Sequence, residues 1–496
     1  MTNYNKDDFR ILFVYPNVML QNMMPINLSL LSACLKEAGF NNVKLFDTTL
    51  YRTQEKSGDE IRAEFLQLRK WNMDEVGIQI KETDVYDDFE KVIDSYKPHL
   101  IAVTMTEVTY EIALRLLEKI KDLKIPTFAG GAYPSFSPED VLANDCIDMV
   151  CVGEGEKSMV ELCEKLSQGK DISDIPNIWL KSEKGIVKNK MRELVNLDEL
   201  PFLDFTIYEE QRFYRPNRGK LFKTLPIEIS RGCPYNCTFC CASSYRKMYD
   251  NNYLRFKDVS IVFDELKHQK EKYGLEFVYF TSESFLSMPE KKLREFMEKY
   301  KEIDLPFFFQ TRPESITYDR LKILEGFDFR LSIGIESGNE KIRREVLNRK
   351  VSNETIKKAT GILNDLDIKY GTNNMIGIPG ETRDDIFDTI NLNRECEAKD
   401  LNIFIFTPFR GTKLHTVCVE EGYIPADHIT QEHSMMSSLK MPHISSEDLH
   451  GLLRTFPLYV KMPKDKWPLI KKAEKFDDEG NRIYEELSDV YREHYM

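Results

Sequence analysis

The sequence contains no run of apolar residues approaching the ~20 that a membrane-spanning helix needs, so an integral helical membrane protein is excluded. Its first residues, Met1 to Arg10, are polar and run into a short apolar segment, without the basic start and apolar core of a secretory signal. Self-similarity at solenoid spacing is absent as well. Positive charge is in deficit: 69 Lys plus Arg face 82 Asp plus Glu, a formal net charge of −13. That balance disfavours a protein that coats a phosphate backbone, so no nucleic-acid partner is expected. With 42% hydrophobic and 30% charged residues, neither disorder nor a fibre fits. What remains is a globular chain of 496 residues, long enough for several domains at roughly 100–200 residues each. The expected compartment is cytoplasmic and reducing. Ten cysteines there are small buried residues, metal ligands or reactive thiols rather than disulfides.

The pattern divides the chain. Over 1–170, short β-rich runs such as Ile11 to Tyr15, Val43 to Phe46, His99 to Thr104 and Asp148 to Val152 alternate with helical stretches. This predicts an α/β, doubly wound parallel sheet of Rossmann-like type. Such sheets bind ligands beyond the carboxyl ends of their strands. The turns holding Tyr15 and Pro16, Asp47 to Thr49, Thr104 and Thr106, and Gly130, Gly131 and Tyr133 fall on that edge. Residues 171–224, rich in Pro, Asp and Asn, read as a linker with one hairpin. From 225 to 412, six strand candidates alternate with longer helices, predicting a partial (β/α)6 TIM-like barrel. Residues 413–496 read as a small helical C-terminal region, a possible substrate lid.

After the first barrel strand comes Ser230-Arg-Gly-Cys233-Pro-Tyr-Asn-Cys237-Thr-Phe-Cys240-Cys241. Three thiolates on one loop can serve one metal centre, and three are one short of a closed site. An open coordination position is where a metal centre does chemistry. A structural zinc site completed by His268 or Cys241 is the plainer alternative. The other cysteines, at 34, 146, 151, 163, 396 and 418, sit in apolar or helical contexts and read as buried small residues.

The Cys-x3-Cys-x2-Cys spacing, with Phe239 before the last cysteine, resembles the radical S-adenosylmethionine (SAM) superfamily. Four downstream segments are similar to that family's barrel: Phe280-Thr-Ser-Glu283-Ser-Phe285, Gln310-Thr-Arg312, Ser332 to Gly338 and Met375-Ile-Gly377-Ile-Pro-Gly380-Glu381-Thr382. The resemblance implies that Cys233, Cys237 and Cys240 hold a [4Fe-4S] cluster whose fourth iron takes the amino and carboxylate groups of SAM. Reductive cleavage would then give a 5′-deoxyadenosyl radical. Backbone at Phe239 would meet the adenine, with Ile378 and Pro379 lining it. Ser282 or Glu283 would take the methionine ammonium, and Glu336 the ribose or sulfonium side. Arg312 would neutralise the cofactor carboxylate or pair with Glu314. Glu283, Arg312 and Glu336 are the candidate catalytic set, and a low-potential flavodoxin or ferredoxin is the implied electron donor.

Ahead of the barrel, Val14-Tyr-Pro16, Phe128 to Pro134 and Val152-Gly153-Glu154-Gly155-Glu156 resemble the cobalamin-binding domain of the B12-binding radical SAM subfamily. The implied cobalamin contacts are Tyr15, Pro16, Thr104, Thr106, Gly130, Gly131 and Tyr133. Glu154 and Glu156 precede a helix and suit its N-terminus instead. The Asp-x-His-x-x-Gly signature that supplies a histidine to cobalt elsewhere is missing, and the domain's only histidine, His99, begins a strand. Cobalamin would therefore be base-off and without a histidine ligand. The leading expectation is a cobalamin-dependent methyltransferase acting on an unactivated carbon or on phosphorus, with a small-molecule, lipid or peptidic substrate. The alternatives are a radical cyclase or rearrangement enzyme without methyl transfer, and an iron–sulfur electron carrier.

Overall fold

In a computed structural model, residues 4–21, 23–217, 219–430 and 436–496 are described. The chain divides into two compact units, the first formed by Met1–Ser57, Met73–Arg215 and Lys247–Tyr253, the second by Gly58–Asn72, Pro216–Arg246 and Leu254–Met496. Among the described residues no helix is long and apolar enough to cross a membrane.

In the first unit, β1 (Ile11–Tyr15), β2 (Val43–Asp47), β3 (Leu100–Thr104), β4 (Thr127–Gly130) and β5 (Met149–Cys151) are parallel neighbours in the order β2-β1-β3-β4-β5. Strand side chains alternate between faces, and both faces are covered. Ile11 and Phe13 join Leu35, Leu100 and Ala102 in one core. Leu12 and Val14 join Phe89, Ile93, Ile101 and Val103 in the other. The helix Val85–Tyr96 starts where Asp84 accepts from the amides of Tyr86 and Asp87, and stops at Lys97 in the left-handed conformation. The segment read as a linker contributes to this sheet: β6 (Ile178–Ser182) and β7 (Gly185–Lys188) form a hairpin that pairs antiparallel with β5. The Pro, Asp and Asn content that suggested a connector belongs to turns around the hairpin, and Ile178 and Leu180 are buried in the sheet's core.

The second sheet starts with β8 (Tyr214–Asn217) beside β9 (Lys220–Glu228), and the second unit also has a short ribbon of β10 (Ser230–Arg231) and β11 (Arg255–Phe256). The sheet continues through β12 (Phe277–Thr281), β13 (Phe307–Thr311), β14 (Phe329–Glu336), β15 (Tyr370–Ile376) and β16 (Asp400–Ile405), each parallel to the one before it from β9 on. This is the partial (β/α)6 barrel. Its early strands pack through aromatic rings: Phe280 meets Phe307 at 5.4 Å and Phe285 stacks on Phe309 at 4.5 Å. Burial of each such ring stabilises by roughly 1.5–3 kcal/mol. Helix Val259–Tyr273 is capped by Asp258 and closed by Gly274 at φ +65°, and helix Arg383–Cys396 opens on a reciprocal Thr382–Asp385 capping box. The C-terminal region is helical, as expected, with Lys413–Glu420, Ser446–Lys461, Trp467–Ala473 and Asp478–His494.

Candidate active site at the barrel edge

After β9 and β10 the chain turns through Gly232, at φ +91°, into the cysteine loop. Cys237 is buried, Cys233 and Cys240 are half-buried, and all are free. The loop is tied from several sides. Ser243 Oγ donates to the carbonyls of Cys237 (2.9 Å) and Cys240 (2.8 Å). Thr238 Oγ1 donates to the Val346 carbonyl at 2.6 Å, and the Leu414 amide donates to the Thr238 carbonyl at 3.0 Å. Burial pushes the Cys240 thiol up to about 12 and raises that of Cys233. Thiols withdrawn from water in this way become thiolates when a metal binds them and supplies positive charge.

Among the described residues, no three His, Cys, Asp or Glu side chains close on a single metal ion. Tetrahedral zinc requires that closure, with every sulfur about 2.3 Å from one ion. An iron–sulfur cubane gives each thiolate its own iron, so its ligands stand further apart. Cys241 opens the helix Cys241–Met248, and His268 lies within Val259–Tyr273. Three free, partly desolvated cysteines on a braced loop could hold such a cluster.

Around the loop, the ends of successive strands supply the other candidates. Glu283, after β12, accepts from the Gly232 amide at 3.1 Å, so a barrel carboxylate touches the residue before Cys233. The carboxylate is solvent-exposed on one side, yet the protein crowded against the other side raises its proton affinity above the usual range, with Glu228 adding to the effect. Ser282 shares a 2.8 Å hydrogen bond with Ser230, pinning β12 to β10. Arg312, after β13, is buried. Its Nε donates to Glu314 at 2.7 Å, its Nη1 to Cys237 Sγ at 3.6 Å, and its guanidinium lies 3.7 Å from the Tyr235 ring centroid. Arg312 thus makes the ion pair with Glu314 that was one of its two expected uses.

Glu336 ends β14 at φ +66°, a left-handed conformation that is strained for a side-chain-bearing residue and is often found at functional sites. Its carboxylate meets Arg349 at 3.4 Å, and Arg349 also donates to the Gly334 carbonyl. A Cβ at Gly334 would fall 2.3 Å from Glu336 Oε1, so glycine there makes room for the carboxylate. Burial raises the Glu336 proton affinity against the pull of Arg349 and Arg312. At the end of β15, Ile378 and Pro379 are buried, and Ile378 shares an apolar cluster with Phe239. Phe239 and Ile378, both expected to face the adenine, thus belong to the same apolar region.

Three residues were missed from sequence. Tyr235 lies inside the cysteine motif but received no role. Arg349 lies after a π-helical turn, Ile342–Val346, that periodicity does not reveal. Glu381 was legible as part of Gly-x-x-Gly-Glu but received no role. It is fully buried and accepts from the amides of Gly377 (2.6 Å) and Ile378 (3.1 Å). Burial lifts its carboxyl to about 8.

The first unit's candidates divide. The strand order reverses direction between β1 and β3, the switch point at which doubly wound sheets open a crevice. Tyr15, Pro16, Thr104 and Thr106 lie at its two lips, and Asn27 donates to Thr104 Oγ1 at 2.8 Å. Asn17 Oδ1 beside them is buried without a hydrogen-bond partner. Tyr133, by contrast, is a core residue, with its ring 4.9 Å from that of Tyr110. Gly131, at φ +110°, lets the backbone of Met105 approach: a Cβ would lie 2.5 Å from the Met105 carbonyl oxygen. At Gly130 a Cβ would make only an ordinary contact, 3.9 Å from the Cys151 Cβ. His99 accepts from the Arg10 amide at 2.9 Å and lies over Tyr4 at 4.0 Å, at the amino end of β3 and away from the ligand edge. A depression of about 680 Å³ lies elsewhere in the unit, between helices Ile26–Glu37 and Glu156–Ser167. Charges along it pair with each other, as in Lys165–Glu161 at 3.5 Å, and it holds none of the candidate residues.

The B12-binding domain family matches residues 17–163, and the radical SAM superfamily matches residues 227–392. An uncharacterized methyltransferase of Pyrococcus horikoshii is 25% identical over 384 residues, covering 76% of this chain and 81% of the relative. An anaerobic magnesium-protoporphyrin IX monomethyl ester cyclase of Rubrivivax gelatinosus is 25% identical over 421 residues, covering 81% and 68%. Among solved structures, the radical SAM methyltransferase TsrM from Kitasatospora setae, with cobalamin and a [4Fe-4S] cluster bound, aligns with a TM-score of 0.66 at 15% identity, over 99% of this chain and 100% of that one; this is a likeness of fold. A radical SAM domain works with a [4Fe-4S] cluster and SAM, and a B12-binding domain with cobalamin. With both domains matched in this order, the chain is a radical SAM enzyme of the B12-binding class.

Proposed function

We propose that this enzyme is a cobalamin-dependent methyltransferase acting on an unactivated carbon or phosphorus centre of a small-molecule, lipid or peptidic substrate. The observation that carries the reading is the first unit's histidine-free ligand edge: His99 is spent on Arg10 and Tyr4 at the opposite end of the sheet. Cobalamin held without a protein histidine suits transfer of a methyl group, while the cluster and SAM supply the substrate radical when bound.

The chain's own residues would divide the work. Cys233, Cys237 and Cys240 hold the cluster. Glu283 and Ser282 face the methionine ammonium, and Glu336 the ribose or sulfonium side. Phe239, Ile378 and Pro379 give an apolar wall to the adenine that keeps water from a reactive centre. Tyr15, Pro16, Thr104, Thr106 and Gly130 line the cobalamin crevice, with Gly131 and Tyr133 supporting it from within. A low-potential flavodoxin or ferredoxin delivers the electron.

The test is anaerobic reconstitution of the full chain with iron, sulfide and cobalamin, followed by turnover with SAM and a low-potential reductant. Expected are bound cobalamin, and both 5′-deoxyadenosine and S-adenosylhomocysteine as products. Cleavage to 5′-deoxyadenosine by a chain that never binds cobalamin sinks the proposal. A substrate product without added methyl mass points to cyclisation instead.

A further inference from the structure

The guanidinium of Arg312 is committed before any cofactor arrives. One edge is held by Glu314, through Nε at 2.7 Å and Nη2 at 2.5 Å, one face is covered by Tyr235 at 3.7 Å, and the remaining Nη1 points at Cys237 Sγ, 3.6 Å away. Arg312 is 5% exposed. The ion pair with Glu314 alone would not require the guanidinium to be aimed at one particular cysteine. Glu314 leaves its second oxygen, Oε2, buried and without a hydrogen-bond partner, so the pair is not closed on itself.

Resting on the reading that Cys237 is a cluster ligand, we infer that Arg312 is a positioning residue that sets the reduction potential of the iron–sulfur cluster through Cys237, with Glu314 as its counterweight and Tyr235 as its clamp. Hydrogen bonds and positive charge at a ligand sulfur stabilise the more negative, reduced cluster. Water exclusion by the Tyr235 ring strengthens the interaction. One electron passes from the low-potential donor into the cluster, and Arg312 neither gains nor loses a bond. Glu314 opposes this by offsetting part of the arginine charge. The arrangement would adjust how readily the cluster accepts the electron needed for SAM cleavage.

The experiment is a potentiometric titration, followed by electron paramagnetic resonance, of the anaerobically reconstituted chain without SAM. Omitting SAM means that loss of a contact to its carboxylate cannot move the result. Arg312→Met should lower the reduced-to-oxidised ratio at fixed potential about tenfold, equal to about 59 mV for one electron. Glu314→Gln should shift the ratio the other way. Values are taken per loaded cluster, so a purely structural role would appear as lost iron with an unmoved potential. If Arg312→Met does not load, Glu314→Gln and Tyr235→Leu carry the test, the latter shifting in the same direction as Arg312→Met. Unmoved potentials in the variants that load overturn the inference. A wild-type chain that binds no [4Fe-4S] cluster fails the underlying assignment instead, visible in its iron and sulfide content before any variant is made.

Discussion

The two carboxyl edges of this molecule use the same kinds of residue differently. At the barrel edge the candidates are bound to one another: Glu283 to Gly232, Arg312 to Cys237, Glu336 to Arg349, and Glu381 to the turn that carries Ile378. At the first sheet's edge, Tyr133 is taken into the core and Gly131 serves a backbone crossing, so Tyr15, Pro16, Thr104, Thr106 and Gly130 are the candidates that remain at the edge. The difference suits what each edge is proposed to hold. A cluster and a sulfonium need charges fixed in place, while a large ring needs room, and room is made by residues whose side chains are elsewhere.

The largest expected effect tests the barrel side of that contrast. Alanine at Cys233, Cys237 or Cys240 should reduce bound iron and 5′-deoxyadenosine formation to background. Alanine at Cys34 or Cys163, both in the first unit's buried face, should leave both readouts intact and cost on the order of 1 kcal/mol of stability. Iron retained by a chain lacking Cys237 would break the contrast outright. Next in size is Arg349→Met, which leaves the Glu336 carboxylate without its ion pair. Removing one partner of a buried pair costs about 3–5 kcal/mol. Lost SAM binding by a still-folded protein would place Glu336 at the cofactor; unfolding alone would make the pair structural.

On the sheet side, Gly131→Ala forces an alanine into φ +110° against the Met105 carbonyl and should destabilise the first unit by more than about 1 kcal/mol, read by hydrogen exchange. Gly130→Ala meets no such obstacle. It should fold normally and weaken cobalamin binding, and normal binding would remove Gly130 from the crevice.

How much of this was legible depends on the kind of information. Cysteine spacing is local, so the cluster loop could be read directly, and the β-rich runs gave both sheets. Glu336 was found as a motif residue, but its strained conformation depends on Gly334 and Arg349, which only folding brings beside it. Tyr133 looked like a ligand contact because it follows a glycine pair at a strand end. Its burial is decided by packing against Tyr110, which sequence does not display. The hairpin in 171–224 was expected, but its membership of the first sheet was not: its turn residues resemble a connector until the strands find β5.

The prediction for Glu381 is read only across a pH range, and its sign can be worked out. Its carboxyl has an ordinary value of 4.5 and is raised to about 8 in the folded chain, with burial as the main cause, partly offset by the Ile378 and Gly377 amides. The folded state therefore holds a proton that the unfolded state releases between these values. Stability from this group is complete below about pH 4.5 and is lost as pH rises through about 8, at up to about 1.4 kcal/mol per pH unit. Glu381→Gln keeps an acceptor for both amides and removes the titration, so it should flatten the fall in Tm between pH 5 and 8. The turn it supports also lies under the C-terminal helix Ser446–Lys461, because a Cβ at Gly377 would fall 2.9 Å from Leu449. If the wild-type curve is already flat there, the carboxyl is ionised when folded, and the barrel edge at Glu381 is held by a charge rather than by a neutral hydrogen-bonding group.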